Sequence, residues 1–212
     1  MIPRSYFITG TDTGVGKTVF TCRLARELRA QGHRVAAYKP ACSGADEGPN
    51  GALSWSDVKS LFAATEGLWD RDRICPQTFS APLSPPVAAA QEGREVDESL
   101  LLAGFTWLAE RTEIVLVEGA GGFYSPISRN WLNADLAERI GLQVIIVAPN
   151  QLGTINQTLL TIEAVRRRRL KIAGVVLNQV RPLPDASAST NAQEIQQRGQ
   201  VEILAELAYS EV

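Results

Sequence analysis

The stretch ITGTDTGVGKT at residues 8–18 constrains the fold more than any other part of this chain. A short apolar run, SYFIT, enters a glycine-rich turn, and the turn passes at once into VFTCRLARELRAQG, the pattern of a helix. Such a turn aims several unpaired N–H groups and the positive end of a helix dipole at one place, so an anion belongs there. Lys17 adds a mobile positive charge that can follow phosphate oxygens, and Thr18 offers a hydroxyl of the kind that ligates magnesium. Five residues rather than four separate Gly10 from Gly16, with Gly14 inside the loop, which makes this an atypical P-loop. The plainer alternative is a tight turn with Lys17 as a solvated helix-start residue. The strand before and the helix after supply the context that the phosphate motif requires.

Beyond the loop, short β-rich runs alternate with helical patterns. SYFIT is followed by a helix at 17–31, RVAAY, helices at 56–65 and 97–111, EIVLV, a helix at 133–140, QVIIV, a helix at 154–168, KIAGVVL, and a last helix near 191–198 before VEILAEL. This rhythm predicts an α/β fold, a P-loop nucleotide-binding domain with a mostly parallel central sheet flanked by helices. The runs IVLV, VIIV and AGVVL are continuously apolar, as strands covered on both faces must be. Gly32, Gly141 and Gly199 fall where helices should stop. CSGADEGPNGALSWSD and FSAPLSPPVAAAQEGRE read as irregular insertions near the C-terminal edge of the sheet, where open α/β folds bind ligands.

The 212 residues suit one domain over 1–212, and a net charge of -2 with a pI near 5.6 gives no general attraction to nucleic acid or anionic membrane. Any bound anion must therefore be held locally. No apolar run approaches a membrane span, and MIPRSYFITG lacks the apolar core of a secretory signal, so a cytoplasmic protein with a mature start is expected. Cys22, Cys42 and Cys75 are odd in number and widely separated, which argues for reduced thiols over a disulfide framework or zinc cluster.

Three further residues fall at the ligand edge. Glu118 ends EIVLV beside the small-residue turn GAGG, where a carboxylate can hold magnesium; alone it also reads as a solvated loop acid. Asp57 opens SDVKSLFAAT, either complementing the helix dipole or contacting metal or nucleotide. Lys39 ends RVAAYK just before Pro40, a position that an exposed lysine can also occupy.

YFITGTDTGVGKT, YKPACSG, SDVKSL, TFSAPLSPPVAAAQEGR, VEGAGGFYSPI, LGTINQTLLT and GVVLNQV together resemble dethiobiotin synthetase, the ATP-dependent carboxylating ligase of biotin synthesis, in order and spacing over most of the chain. The resemblance implies a homodimer of single α/β domains. It also implies carboxylation of 7,8-diaminopelargonic acid with CO2 and closure of the cyclic urea of dethiobiotin, using ATP and magnesium. It places the triphosphate on Thr13, Gly14, Val15, Gly16, Lys17, Thr18 and Val19, with Lys17 on the outer phosphates. Thr18, Asp57 and Glu118 share the magnesium, Lys39 is catalytic with Lys17, and Ser43 contacts the substrate. Gly119, Ala120 and Gly121 lie with Glu118 against nucleotide and substrate, and Asn178, followed by Gln179, helps read adenine. No protein nucleophile is needed, which agrees with a chain whose one histidine, His33, sits at the far end of the first helix.

Within the same resemblance, Gly153, Thr154 and Asn156 of LGTINQT come from the neighbouring subunit and hold the substrate carboxylate. The residues alone permit a plain helix cap at Thr154 or an anion-binding helix start. The sequence departs from the family pattern at Gly14 and Gln179, both often acidic, and at its end, where only Glu211 and Val212 follow ELAYS. RRRRL at 166–170 complements a helix C-terminus. Two alternatives use the same fold: a regulatory P-loop ATPase of the partitioning type, and a small-molecule binder without catalysis. The first usually carries a lysine early in its loop, where this chain has Asp12.

Overall fold

In a computed structural model that describes residues 5–209, six parallel strands form the central sheet in the order β10-β9-β8-β1-β7-β2. They are β1 (Tyr6–Gly10), β2 (Val35–Tyr38), β7 (Ile114–Gly122), β8 (Gln143–Pro149), β9 (Ile172–Asn178) and β10 (Ile203–Leu207). The winding reverses around β1, which pairs with β7 on one side and β8 on the other. That reversal opens a crevice at the carboxyl ends of the strands. Two pairs of short strands stand apart from the sheet: β3 (Cys42–Ser43) with β6 (Thr78–Phe79), and β4 (Asp46–Glu47) with β5 (Leu53–Ser54). The helices are α1 (Lys17–Ala30), α2 (Ser56–Ala64), α3 (Arg71–Ile74), α4 (Pro85–Gln91), α5 (Glu98–Ala109), α6 (Asn133–Ile140), α7 (Thr154–Arg167) and α8 (Ala188–Gly199).

The apolar runs explain this layering. Ile114 to Val117 in β7, Val144 to Ala148 in β8 and Val175 to Leu177 in β9 are all buried, so helices shield both faces of the sheet. Each such Val, Ile or Leu contributes roughly 1.5–3 kcal/mol by leaving water. Helix starts follow their local chemistry: Asp97 accepts from the Ser99 and Leu100 N–H groups at the start of α5, and α4 opens with Pro85 after Ser84. At the end of β2, the buried Tyr38 hydroxyl donates to the carbonyls of Leu100 and Leu101, and Gly104 leaves room for the ring. That tie fixes the chain where it delivers Lys39 to the crevice.

Three expectations are corrected. FSAPLSPPVAAAQEGRE is not irregular throughout, because α4 occupies its centre; a proline at the first helical position costs no hydrogen bond. The other insertion contains the β4–β5 pair. Gly32 and Gly141 follow α1 and α6 in positive φ as expected, but Gly199 is the buried last residue of α8, and Gln200 takes the left-handed turn with φ 48. Glu211 and Val212 lie outside the described residues.

Candidate active site

The loop after β1 ends at Gly16, whose φ of 93 turns the chain into α1 at Lys17. The first turn of α1 contains no acid, so its free N–H groups and dipole remain available to an anion. A Cβ at Gly16 would lie 2.0 Å from Asn178 Nδ2, so no side chain fits there. Asn178, at the end of β9, donates from that nitrogen to the Val15 carbonyl at 3.1 Å, and thus braces the loop from across the sheet. Lys17 folds back over the loop, its Nζ donating to the Asp12 carbonyl at 2.9 Å, and is only 6% exposed. Burial, helped by the nearby Lys39 charge, pulls the Lys17 ammonium down to about 8. Asp12 itself accepts from the Thr13 N–H through its side chain.

Beside the loop, four side chains converge, from α1, α2, β7 and the residue that follows β2. Thr18 Oγ1 lies 2.9 Å from Asp57 Oδ1 and 2.7 Å from Glu118 Oε1. Lys39 Nζ donates to Glu118 Oε1 at 2.7 Å and to Asp57 Oδ2. Lys39 and Glu118 are buried, whereas the Asp57 side chain is 36% exposed and faces the crevice. Burial alone pulls the Lys39 ammonium down, but the charges of Glu118 and Asp57 outweigh it and hold its pKa above the ordinary lysine range. Burial likewise pushes the Asp57 carboxyl up, and the Lys39 charge and the hydrogen bonds from Lys39 and Thr18 bring it below its usual value. Glu118 Oε2 is buried and has no hydrogen-bond partner among the described residues. Two carboxylates, a hydroxyl and an unused buried lone pair form an all-oxygen donor set suited to a hard cation that arrives with phosphate oxygens.

Glu118 does not end its strand, as EIVLV alone implied. β7 continues to Gly122 with a break in register against β1, where Ile8 faces Glu118 and Gly10 faces Gly122. The intervening turn is held by Asn133, a wholly buried residue that the sequence did not single out. Its side chain accepts from Ala120 N–H at 3.0 Å and donates to the carbonyls of Ala120, Ser125 and Gly122. Gly119 packs against it, since a Cβ there would sit 2.8 Å from Asn133 Oδ1.

A cavity of about 1310 Å³ opens over these groups. That exceeds the roughly 300–1,000 Å³ of an ordinary ligand pocket, enough for a nucleotide with a second substrate. Thr13, Gly14, Gly16, Lys17, Thr18 and Val19 line it from the loop; Lys39, Ser43 and Asp57 from one flank; Ala120 and Gly121 from the turn; and Asn178 and Gln179 from β9 and the residue after it. Val15, Glu118 and Gly119 lie beneath as supports. Ser43 donates to the Leu83 carbonyl at 2.5 Å, which ties the β3 side of the cavity to the proline-rich segment. The sequence assigned no site role to Cys22, Arg26, Lys59, Pro82, Ser125 and Tyr209, which also line the cavity; Lys59, Pro82 and Ser125 carried a signal, through the family segments SDVKSL, TFSAPLSPPVAAAQEGR and VEGAGGFYSPI. Gly153, Thr154 and Asn156 do not line it: the turn before α7 stands elsewhere, with Gly153 at φ 93, Thr154 buried and Leu152 83% exposed.

Comparison with known proteins adds an independent observation. A family described as an AAA domain matches residues 4–212. ATP-dependent dethiobiotin synthetase from Anaeromyxobacter dehalogenans (strain 2CP-C) is 47% identical over 91% of this chain and 84% of its own length. The protein of that name from Escherichia coli (strain K12) is 41% identical over 84% of this chain and 79% of its own length. Among solved structures, a ParA family ATPase from Chlorobium tepidum has a TM-score of 0.59 at 13% identity, over 99% of this chain and 86% of that one. Cell division protein FtsY from Thermotoga maritima has a TM-score of 0.58 at 14% identity, with this chain matched over 99% and spanning 63% of that structure's length. These two show a shared fold only. The sequence relatives go further: this chain belongs to the ATP-dependent dethiobiotin synthetase family.

Proposed function

We propose that residues 1–212 form one ligase domain that carboxylates 7,8-diaminopelargonic acid with CO2 and closes the cyclic urea of dethiobiotin, with conversion of ATP to ADP and phosphate. The observation that carries this reading is the Lys39 ammonium seated between Asp57 and Glu118 at the side of a P-loop, over a cavity with room for two substrates. In the reaction one substrate amine adds to carbon dioxide and loses a proton, giving a carbamate. A carbamate oxygen then attacks the γ-phosphorus and expels ADP, forming a carbamic–phosphoric anhydride. The second amine attacks its carbonyl carbon, phosphate leaves, and the ring closes.

No step requires a protein nucleophile, so the chain contributes position and charge. Thr13 to Val19 cradle the triphosphate, and Lys17 follows its outer oxygens. Lys39 stabilises the charge that moves between carbamate and phosphoryl oxygens. Ser43 and the turn at Gly119, Ala120 and Gly121 bound the substrate side, while Asn178 and Gln179 face the base. Thr18, Asp57 and Glu118 would hold magnesium, a role that the unpartnered Glu118 Oε2 fits. A divalent cation held by these three residues would supply positive charge against the triphosphate.

The distant carboxylate of the diamine requires a second anchor. Gly153, Thr154 and Asn156 at the N-terminus of α7 supply it from a partner subunit in this reading, and the exposed Leu152 and Leu160 favour a homodimer through that region. The free thiols of Cys22, Cys42 and Cys75 suit a reducing cytoplasm. Among the described residues, no helix is long and apolar enough to cross a membrane. Incubation with ATP, magnesium, bicarbonate and the diamine, followed by mass detection of the cyclic urea, tests the proposal; absence of the urea from folded, ATP-binding protein overturns it.

A further inference from the structure

Between Ile8 and Gly10 on β1 lies one residue, whereas between the facing residues Glu118 and Gly122 on β7 lie three. The extra length bulges Gly119, Ala120 and Gly121 out of register with β1, and the Ala120 N–H and C=O turn to a side chain. Buried backbone polar groups need replacements, or each costs free energy comparable to a lost hydrogen bond. One side chain satisfies both backbone groups of Ala120, at the centre of the bulge, and ties in two carbonyls that follow it. Asn133 Oδ1 takes the Ala120 N–H, and Asn133 Nδ2 reaches the carbonyls of Ala120 at 2.7 Å, Ser125 at 2.9 Å and Gly122 at 3.2 Å.

We infer that Asn133 is a positioning residue for the ligase reaction: it sets the bulge that aims Glu118 at Lys39 and Thr18 and brings Ala120 and Gly121 to the cavity wall. The inference rests on the ligase reading of the same site. Asn133 does not touch the cavity, and its anchorage is independent of it. It is the first residue of α6, its own N–H donates to the Ser125 carbonyl at 3.0 Å, and the next N–H, of Ala134, donates to Phe123. The Ser125 hydroxyl closes the far side by accepting from Gly122 N–H at 2.9 Å. Helix α6 thus serves as a rigid mount, and the amide transmits its position to the bulge. An amide suits 133, because the bulge and the chain after it turn one N–H and three carbonyls toward it, and only an amide offers an acceptor oxygen beside an NH2 whose two protons those carbonyls share. Aspartate matches the shape but turns a carboxylate toward three carbonyls. Alanine leaves a polar space that water can enter.

The test compares wild type with Asn133→Ala and Asn133→Asp. In folded protein both variants should lose about 10- to 100-fold in kcat, the scale expected when reacting groups shift by about 1 Å. ATP affinity measured without magnesium should stay near wild type, because the P-loop is braced by Asn178 and not by Asn133. A residue that only supported folding would lower the melting temperature and leave kcat per folded molecule unchanged, and that result overturns the inference. Hydrogen exchange of the wild-type Ala120 amide decides the matter if neither variant folds: slow exchange supports the latch and rapid exchange refutes it. If wild type itself makes no cyclic urea, the ligase reading fails, whereas normal wild-type turnover with unimpaired variants sinks only the role of Asn133.

Discussion

Replacing Lys39 with methionine keeps most of the side-chain volume and removes the charge, so its consequences follow from what the ammonium leaves behind. Asp57 counts for less than Glu118 in the balance, because 36% of its side chain is exposed and water screens it. Glu118 is different: it is fully buried, its Oε2 has no partner among the described residues, and Lys39 is its cation at 2.7 Å. Breaking one side of a buried pair costs about 3–5 kcal/mol. At roughly 2–4 °C per kcal/mol for a chain of this size, Lys39→Met should lower the melting temperature by about 6–20 °C. The vacated position between two carboxylates should also accept magnesium more readily than in wild type, where the ammonium competes. Magnesium without nucleotide should therefore raise the melting temperature of the variant more than that of wild type. Turnover should fall by about 10²–10³, the loss seen on removing one preorganised donor. Scanning calorimetry with and without magnesium, paired with single-turnover kinetics, reads all three effects. A variant that melts with wild-type protein, shows no extra response to magnesium and turns over normally would refute the argument that Lys39 and the cation share these carboxylates.

Other expectations use the same geometry. Lys17 sits at about 8 in the free protein because burial pulls it down, and phosphate binding should raise it. ATP binding should therefore take up almost no proton well below that pH, about half a proton near it, and more above it; calorimetry in buffers of different ionisation enthalpy measures the uptake, and Lys17→Met should abolish it. Gly16→Ala places a Cβ on Asn178 and forces an L-residue into positive φ, which alone costs about 1–2 kcal/mol of folding stability, so the melting temperature, read by calorimetry, should fall by at least about 2–8 °C. Mixing Lys17→Ala subunits with Gly153→Pro subunits should restore about a quarter of wild-type activity if random dimers form and the site spans two copies; verified mixed dimers with no activity would return the turn at 153–156 to its own subunit.

The sequence disclosed these elements unevenly, and the reasons are local. Strands β7, β8 and β9 were legible because burial on both faces demands unbroken apolar runs, and α1 because the loop before it has no other continuation. Helix α4 was overlooked although SPPVAAAQ carries its signal: two prolines read as a loop only if their tolerance in the first helical turn is ignored. The P-loop and the carboxylates of Asp57 and Glu118 were visible as residue types beside turns, although Glu118 read as the end of a strand that continues to Gly122. Their joint grip on Lys39 was not, because Lys39 lies 18 positions from Asp57 and 79 from Glu118. Asn133 left no trace, since nothing in NADL distinguishes an amide that caps a distant bulge from one that merely begins a helix. The bulge itself was hidden for a related reason: GAGG permits a turn or a strand, and only the register against β1 decides between them.

The most direct measurement follows the carbon and the phosphate together. With ¹³C-bicarbonate, ATP, magnesium and the diamine under single-turnover conditions, the ligase account predicts one ADP per cyclic urea, with the label in the ring carbonyl and little ADP when the diamine is withheld. ADP formed equally fast without the diamine, and no labelled urea in its presence, would contradict it and make the protein a P-loop ATPase of another kind.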